Sequence, residues 1–134
     1  MIRPLLLAAA SLGLAACATT PDAVPEAEYL RVPPPPLDAR SPAEAITNII
    51  GRYPESMEGA PTLDVQMRPL ASDPSRLEMI GVAGPMLDDS VRMTGWRAIL
   101  EQSANGSWRV TELGVRYKCY RSENPDEWRA ALCP

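Results

Sequence analysis

Apolar and polar positions change their spacing several times along this chain, and each change marks an element. Pro4 to Ala15 is an uncharged run led by Leu5, Leu6, Leu7, Leu12 and Leu14. It is shorter than the roughly 20 apolar residues that a membrane-spanning helix needs. Apolar periodicity then vanishes from residue 18 to residue 40, where Pro21, Pro25 and Pro33-Pro34-Pro35-Pro36 interrupt Thr, Ala, Asp and Glu. Proline lacks the amide hydrogen that a helix or a central strand requires, so this segment reads as an extended tether. In polyproline II geometry, at about 3.1 Å per residue, it would reach on the order of 70 Å. Tyr29, Leu30 and Val32 are a closely spaced apolar group within it able to dock elsewhere.

Helical spacing begins at residue 41. Ser41 is a good N-cap, Pro42 suits the first helical position, and Glu44 completes a capping box. Ala45, Ile46, Ile49, Ile50 and Tyr53 form one apolar stripe, which Gly51 and Pro54 terminate. Alternation follows: Leu63, Val65 and Met67 against Asp64, Gln66 and Arg68 predict a half-buried strand. A turn at 72–75 leads to a second strand over 76–82, with Leu77 and Met79 on one face. After a loop at 84–90 comes a long third strand, 91–102, in which Gly95 is read as a bulge. Asn105-Gly106 is a strong hairpin signal. The fourth strand, 108–120, places Trp108, Val110, Val115, Tyr117 and Cys119 largely on one side, with a register shift near Gly114. Asn124-Pro125-Asp126-Glu127 is a second helix start, and Trp128 and Leu132 share its apolar side.

The expected fold is α+β: an N-terminal helix packed on a curved four-stranded antiparallel sheet, with a short C-terminal helix. That order of elements is similar to cystatin-like and nuclear-transport-factor-like folds, which host inhibitors, binding proteins and enzymes alike.

Leu14-Ala15-Ala16-Cys17, straight after the charged start at Arg3 and the apolar run, resembles the lipobox of a bacterial lipoprotein signal peptide. The resemblance implies removal of residues 1–16 and attachment of diacylglycerol and an acyl chain such as palmitate to Cys17. Ala18 follows the cysteine where an aspartate would suggest inner-membrane retention, so the expected location is the outer membrane, on its periplasmic side. The organisation is then signal peptide 1–16, lipidated tether 17–40, and one small domain 41–134. Of the three cysteines, Cys119 and Cys133 remain, and an even remainder in an oxidising compartment reads as a disulfide. The competing reading, a metal site, would need more ligands, and the chain has no histidine.

The absence of histidine also removes the usual general base near neutral pH. With the cysteines used, no thiolate nucleophile is expected. Lys118, the one lysine, sits in a strand pattern with nothing to suggest a Ser-Lys dyad, and Asp88-Asp89 reads as a turn. No phosphate-binding glycine loop or calcium loop is present. The expectation is a non-enzyme without cofactors beyond its covalent lipid.

Charge is segregated. The chain is formally −4 overall, a poor match for nucleic acid. The stretch 91–121 is the exception, with Arg92, Arg97, Arg109, Arg116, Lys118 and Arg121 against only Glu101 and Glu112. Pairing of strands three and four sets Arg109, Arg116 and Lys118 opposite the core, joined by Arg92 with Trp96 near by and Thr111 between them. Such a face suits carboxylate or phosphate, on an envelope protein, peptidoglycan or lipopolysaccharide. The plainer reading is a solvated outer face. Three functions follow: a binding or scaffolding module for a cell-envelope partner, a lipid or small-molecule carrier lined by Met67, Met79, Met93 and Trp108, or an inhibitor of a cell-wall enzyme. Periplasmic lipoproteins of lysozyme-inhibitor type resemble this chain in size and location, but their serine- and tyrosine-bearing loop is not found here.

Overall fold

The computed structural model describes residues 28–51 and 62–134. It is α+β, with one open antiparallel sheet and one short helix. The elements are β1 (Leu30–Arg31), α1 (Pro42–Ile50), β2 (Thr62–Pro69), β3 (Arg76–Gly84), β4 (Val91–Gln102) and β5 (Trp108–Cys119). The strands lie in the order β1-β5-β4-β3-β2. The sheet therefore has five strands where four were expected. The extra one comes from the segment assigned to the tether, where Leu30 and Arg31 pair with Val115 and Gly114. Val32 extends the contact by donating its N–H to the Leu113 carbonyl at 3.1 Å. The helix is accordingly not the first element but stands between β1 and β2.

Helix α1 starts as its sequence dictates. The Ser41 hydroxyl accepts the Glu44 N–H at 3.2 Å. The reciprocal half of the box is displaced by one residue, since the Glu44 carboxylate takes the Arg40 N–H at 2.8 Å. Gly51, at φ 80°, closes the helix with its N–H on the Thr47 carbonyl. Ala45 is buried, and Ile46 and Ile49 pack against Met79, Ala98, Leu100, Val110 and Leu113 on one face of the sheet. Tyr53 and Pro54 lie outside the described residues.

Two register shifts interrupt the β4–β5 ladder, between Val91 and Met93 and between Ile99 and Leu100. Neither falls at Gly95, where a bulge was anticipated, and the second lies a few residues before Gly114, near which a shift was expected. The second leaves Thr111 as the extra residue on β5, because Leu100 faces Val110 while Ile99 faces Glu112. The hairpin is as expected: Ser103 and Ser107 close it, and Gly106 adopts φ 85°.

No second helix forms after β5. The N-cap signature produces a single turn, with the Glu127 N–H on the Asn124 carbonyl at 3.1 Å. Arg129 then exchanges two main-chain hydrogen bonds with Tyr117, at 3.0 and 2.9 Å. The Cys119–Cys133 disulfide fastens the same segment a little further on. Bonding to β5 takes the main-chain groups that a helix would need, and so short a helix is marginal alone.

Candidate functional site

The face of the sheet opposite α1 is where the basic residues were expected, and it is built rather than bare. A small apolar cluster of Tyr29, Leu70 and Ile99 is buried on it. Beside the cluster Glu78, 4% exposed, bridges two arginines: its carboxylate accepts from Arg97 and from Arg68, each at 2.6 Å. Burial alone would raise the Glu78 carboxyl, but the two guanidinium groups outweigh it and hold the carboxyl below its ordinary range.

Arg116 and Lys118 stand on the same face of β5, two residues apart. The Arg116 guanidinium lies between two rings, 4.7 Å from the centroid of Tyr29 and 4.5 Å from that of Trp128. The Lys118 ammonium sits 5.2 Å above Trp128. Gly95, the register partner of Arg116, makes this possible. A Cβ there would lie 3.1 Å from Arg116 Cγ and 3.2 Å from Trp128 Cη2, tighter than ordinary contact. The glycine read as a bulge is instead the floor on which Trp128 rests. The Arg116 Nε is buried without a hydrogen-bond partner.

The other expected members of the face are neutralised within the chain. Arg92 meets Asp126 at 2.6 Å, and Arg109 meets Asp38 at 2.9 Å. The Arg109 guanidinium, together with the Ser107 hydroxyl, holds the Asp38 carboxyl below its ordinary value. Arg121 pairs with Asp89. Thr111 is half-buried, its hydroxyl on the Ile99 carbonyl at 3.3 Å. Trp96 belongs to the opposite face, packed on the core beneath α1. The bulge at Arg92 explains that difference, because it resets the alternation between Arg92 and Trp96. Among the described residues Arg116 and Lys118 have no carboxylate partner; they meet ring faces instead.

Other expected features are dispersed. Met79 is fully buried at the sheet centre, Met67 is exposed on β2, and Met93 and Trp108 sit at opposite ends of the β4–β5 pair. At about 3.3 Å per residue those ends are about 30 Å apart, so the four line no common pocket. A shallow polar depression of about 260 Å³ is lined by Ser122, Glu123, Asn124, Glu127 and Arg129. Asp88 accepts the Ser90 and Val91 N–H groups at 2.7 and 2.8 Å, which lowers its carboxyl pKa and fixes the turn into β4. Among the described residues there is no cluster of three or more metal-ligating side chains, and no helix is long and apolar enough to cross a membrane. Cys17 lies outside the described residues.

Sequence reasoning missed Tyr29, Trp128 and Gly95 as parts of this site. The available signal was an aromatic on either side of a strand rich in cations, which pattern alone does not bring together. Comparisons with protein families, with curated proteins and with solved structures give no match.

Proposed function

We propose that the protein is a lipid-anchored lipoprotein of the outer membrane, facing the periplasm, and that its domain is a non-catalytic binding module for a cell-envelope partner. The lipobox-like Leu14-Ala15-Ala16-Cys17 supports the anchor and the location. One observation carries the binding role. Arg116 and Lys118 are held against aromatic rings with no carboxylate partner among the described residues, while their basic neighbours Arg92, Arg109 and Arg121 are each neutralised.

Ring faces fix a guanidinium without cancelling its charge. The in-plane N–H groups remain the direction in which a carboxylate or phosphate is met, and a second cation two residues away on β5 adds attraction for the same anion. The partner therefore carries exposed acidic groups, as an acidic envelope protein, peptidoglycan and lipopolysaccharide all do.

The test is in-cell photo-crosslinking from Glu127, which is exposed and next to Trp128, with Ala104 at the hairpin tip as the control position. A discrete adduct from Glu127 and none from Ala104 supports the reading, and the mass of the adduct separates protein from glycan. Equal labelling from both positions contradicts it. Palmitate incorporation that disappears in Cys17→Ala tests the anchor separately.

A further inference from the structure

The two edges of the sheet differ. The outer edge of β5 is covered in three places: Arg129 bridges to Tyr117, Leu30 and Arg31 pair with Val115 and Gly114, and Ala39 bridges to Trp108. Among the described residues nothing pairs with the outer edge of β2. Every residue of β2 except Val65 is exposed.

The direction of its main-chain groups follows from its inner ladder. The Leu70 N–H donates to the Arg76 carbonyl at 2.9 Å, and Pro69 is opposite Leu77. Hydrogen-bonded pairs alternate along an antiparallel ladder, so Thr62, Asp64, Gln66 and Arg68 bond to β3. Leu63, Val65 and Met67 then present N–H and C=O outward. Their side chains lie on the helix side of the sheet, since Val65 faces Gly81 and Met67 faces Met79. Leu63 is 40% and Met67 36% exposed. Lysine, proline, a bulge or an inward-pointing charge usually blunts such an edge. Here only Pro69, at the end of β2, is of that kind, and Arg68 is turned away to Glu78.

We propose that β2 pairs antiparallel with β2 of a second copy of this chain, about a two-fold axis at Val65. The sequence around Val65 suits itself. Pro69 ends the row of outward donors on one side, and in the sequence Pro61 stands as far before Val65 as Pro69 stands after it. Centring on Val65 uses all three outward residues: Val65 opposite Val65, and Leu63 opposite Met67 in both directions, giving about six main-chain hydrogen bonds. Sliding two residues toward Pro69 brings into the ladder a residue that accepts but does not donate. On the helix side the seam joins Leu63 to Met67. On the other face Asp64 meets Gln66, with Arg68 of the second copy on the diagonal and no like charges opposed. An interface of this kind is isologous and closes at two copies, so it extends the sheet without building a fibre.

The test uses the full chain in its own membrane. Facing Val65 residues in a hydrogen-bonded pair have Cα atoms about 5.5 Å apart, within the range a disulfide spans. Val65→Cys is therefore expected to give a band of twice the monomer mass on a non-reducing gel after mild oxidation. Ala104→Cys is expected to stay monomeric. Adding Met67→Lys to Val65→Cys is expected to reduce the dimer band at least tenfold with the melting transition retained. The proposal is overturned by the absence of a dimer band from Val65→Cys, by an equal band from Ala104→Cys, or by an adduct of another mass, which would put a different protein on this edge.

Discussion

Trp128 and Arg116 are stacked, with the guanidinium carbon 4.5 Å from the indole centroid, over the bare backbone of Gly95. One residue lies in the longest hairpin of the sheet and the other in the turn that follows it. The disulfide between Cys119 and Cys133 holds those two segments together. The outer face is thus a composite of β5, the residues after it and Tyr29 from before β1.

Gly95→Ala should disturb that stack directly. The added methyl meets Arg116 and Trp128 at 3.1–3.2 Å, so the indole must lift. The expected loss is about 1–2 kcal/mol, with a change in near-ultraviolet circular dichroism from Trp128. An unchanged spectrum and melting temperature would show that Trp128 does not rest there.

Tyr29 separates a tether from a domain residue. It is 4% exposed, covers Arg116 and packs with Ile99 and Leu70. Tyr29→Ala should destabilise by about 3 kcal/mol, the scale of a core aromatic truncation. A spacer residue would give no change in a denaturant titration.

Glu78 sets the response to acid. Its carboxyl is held below the ordinary range in the folded state, so the unfolded chain takes up the proton first. The Glu78 contribution is therefore full above the ordinary carboxylate pKa of about 4.3 and is lost as pH falls through the lower folded value. Glu78→Gln, which removes the buried carboxylate that Arg97 and Arg68 share, should cost about 3 kcal/mol at pH 7. The penalty should shrink on acidification, and equilibrium unfolding at pH 7 and pH 3 checks both points.

Removing the disulfide as Cys119→Ser with Cys133→Ser should lower stability by about 3 kcal/mol on the chain-entropy view. It should also free the segment bearing Trp128, seen as faster amide exchange at Arg129 than at Ile99. Equal protection at the two positions would mean that the Tyr117–Arg129 bridge suffices alone.

Much of this fold is legible in the residues. Ser41, Pro42 and Glu44 fix the start of α1, and alternation places the four long strands to within a residue or two. Cysteine parity gives the disulfide. The remainder turns on contacts that pattern does not record. Two residues ahead of four prolines carry no alternation, so β1 is visible only once β5 offers its edge. Asn124-Pro125-Asp126-Glu127 encodes a turn whose continuation is decided by Tyr117 and Cys119. Arg109 and Arg116 share a face only through the bulge at Thr111, and Trp96 leaves the basic face through the bulge at Arg92. The cations were readable as a group, but which of them carry an internal carboxylate was not.

The most direct measurement is the yield of the Glu127 photo-adduct in wild type and in Arg116→Gln with Lys118→Gln. Both exchanges remove the charge and leave a polar side chain, and melting temperatures are taken alongside. A loss of at least tenfold in adduct with a retained cooperative melt is the expected result. An undiminished adduct from a folded double variant would contradict the assignment of Arg116 and Lys118 as the anion-binding pair.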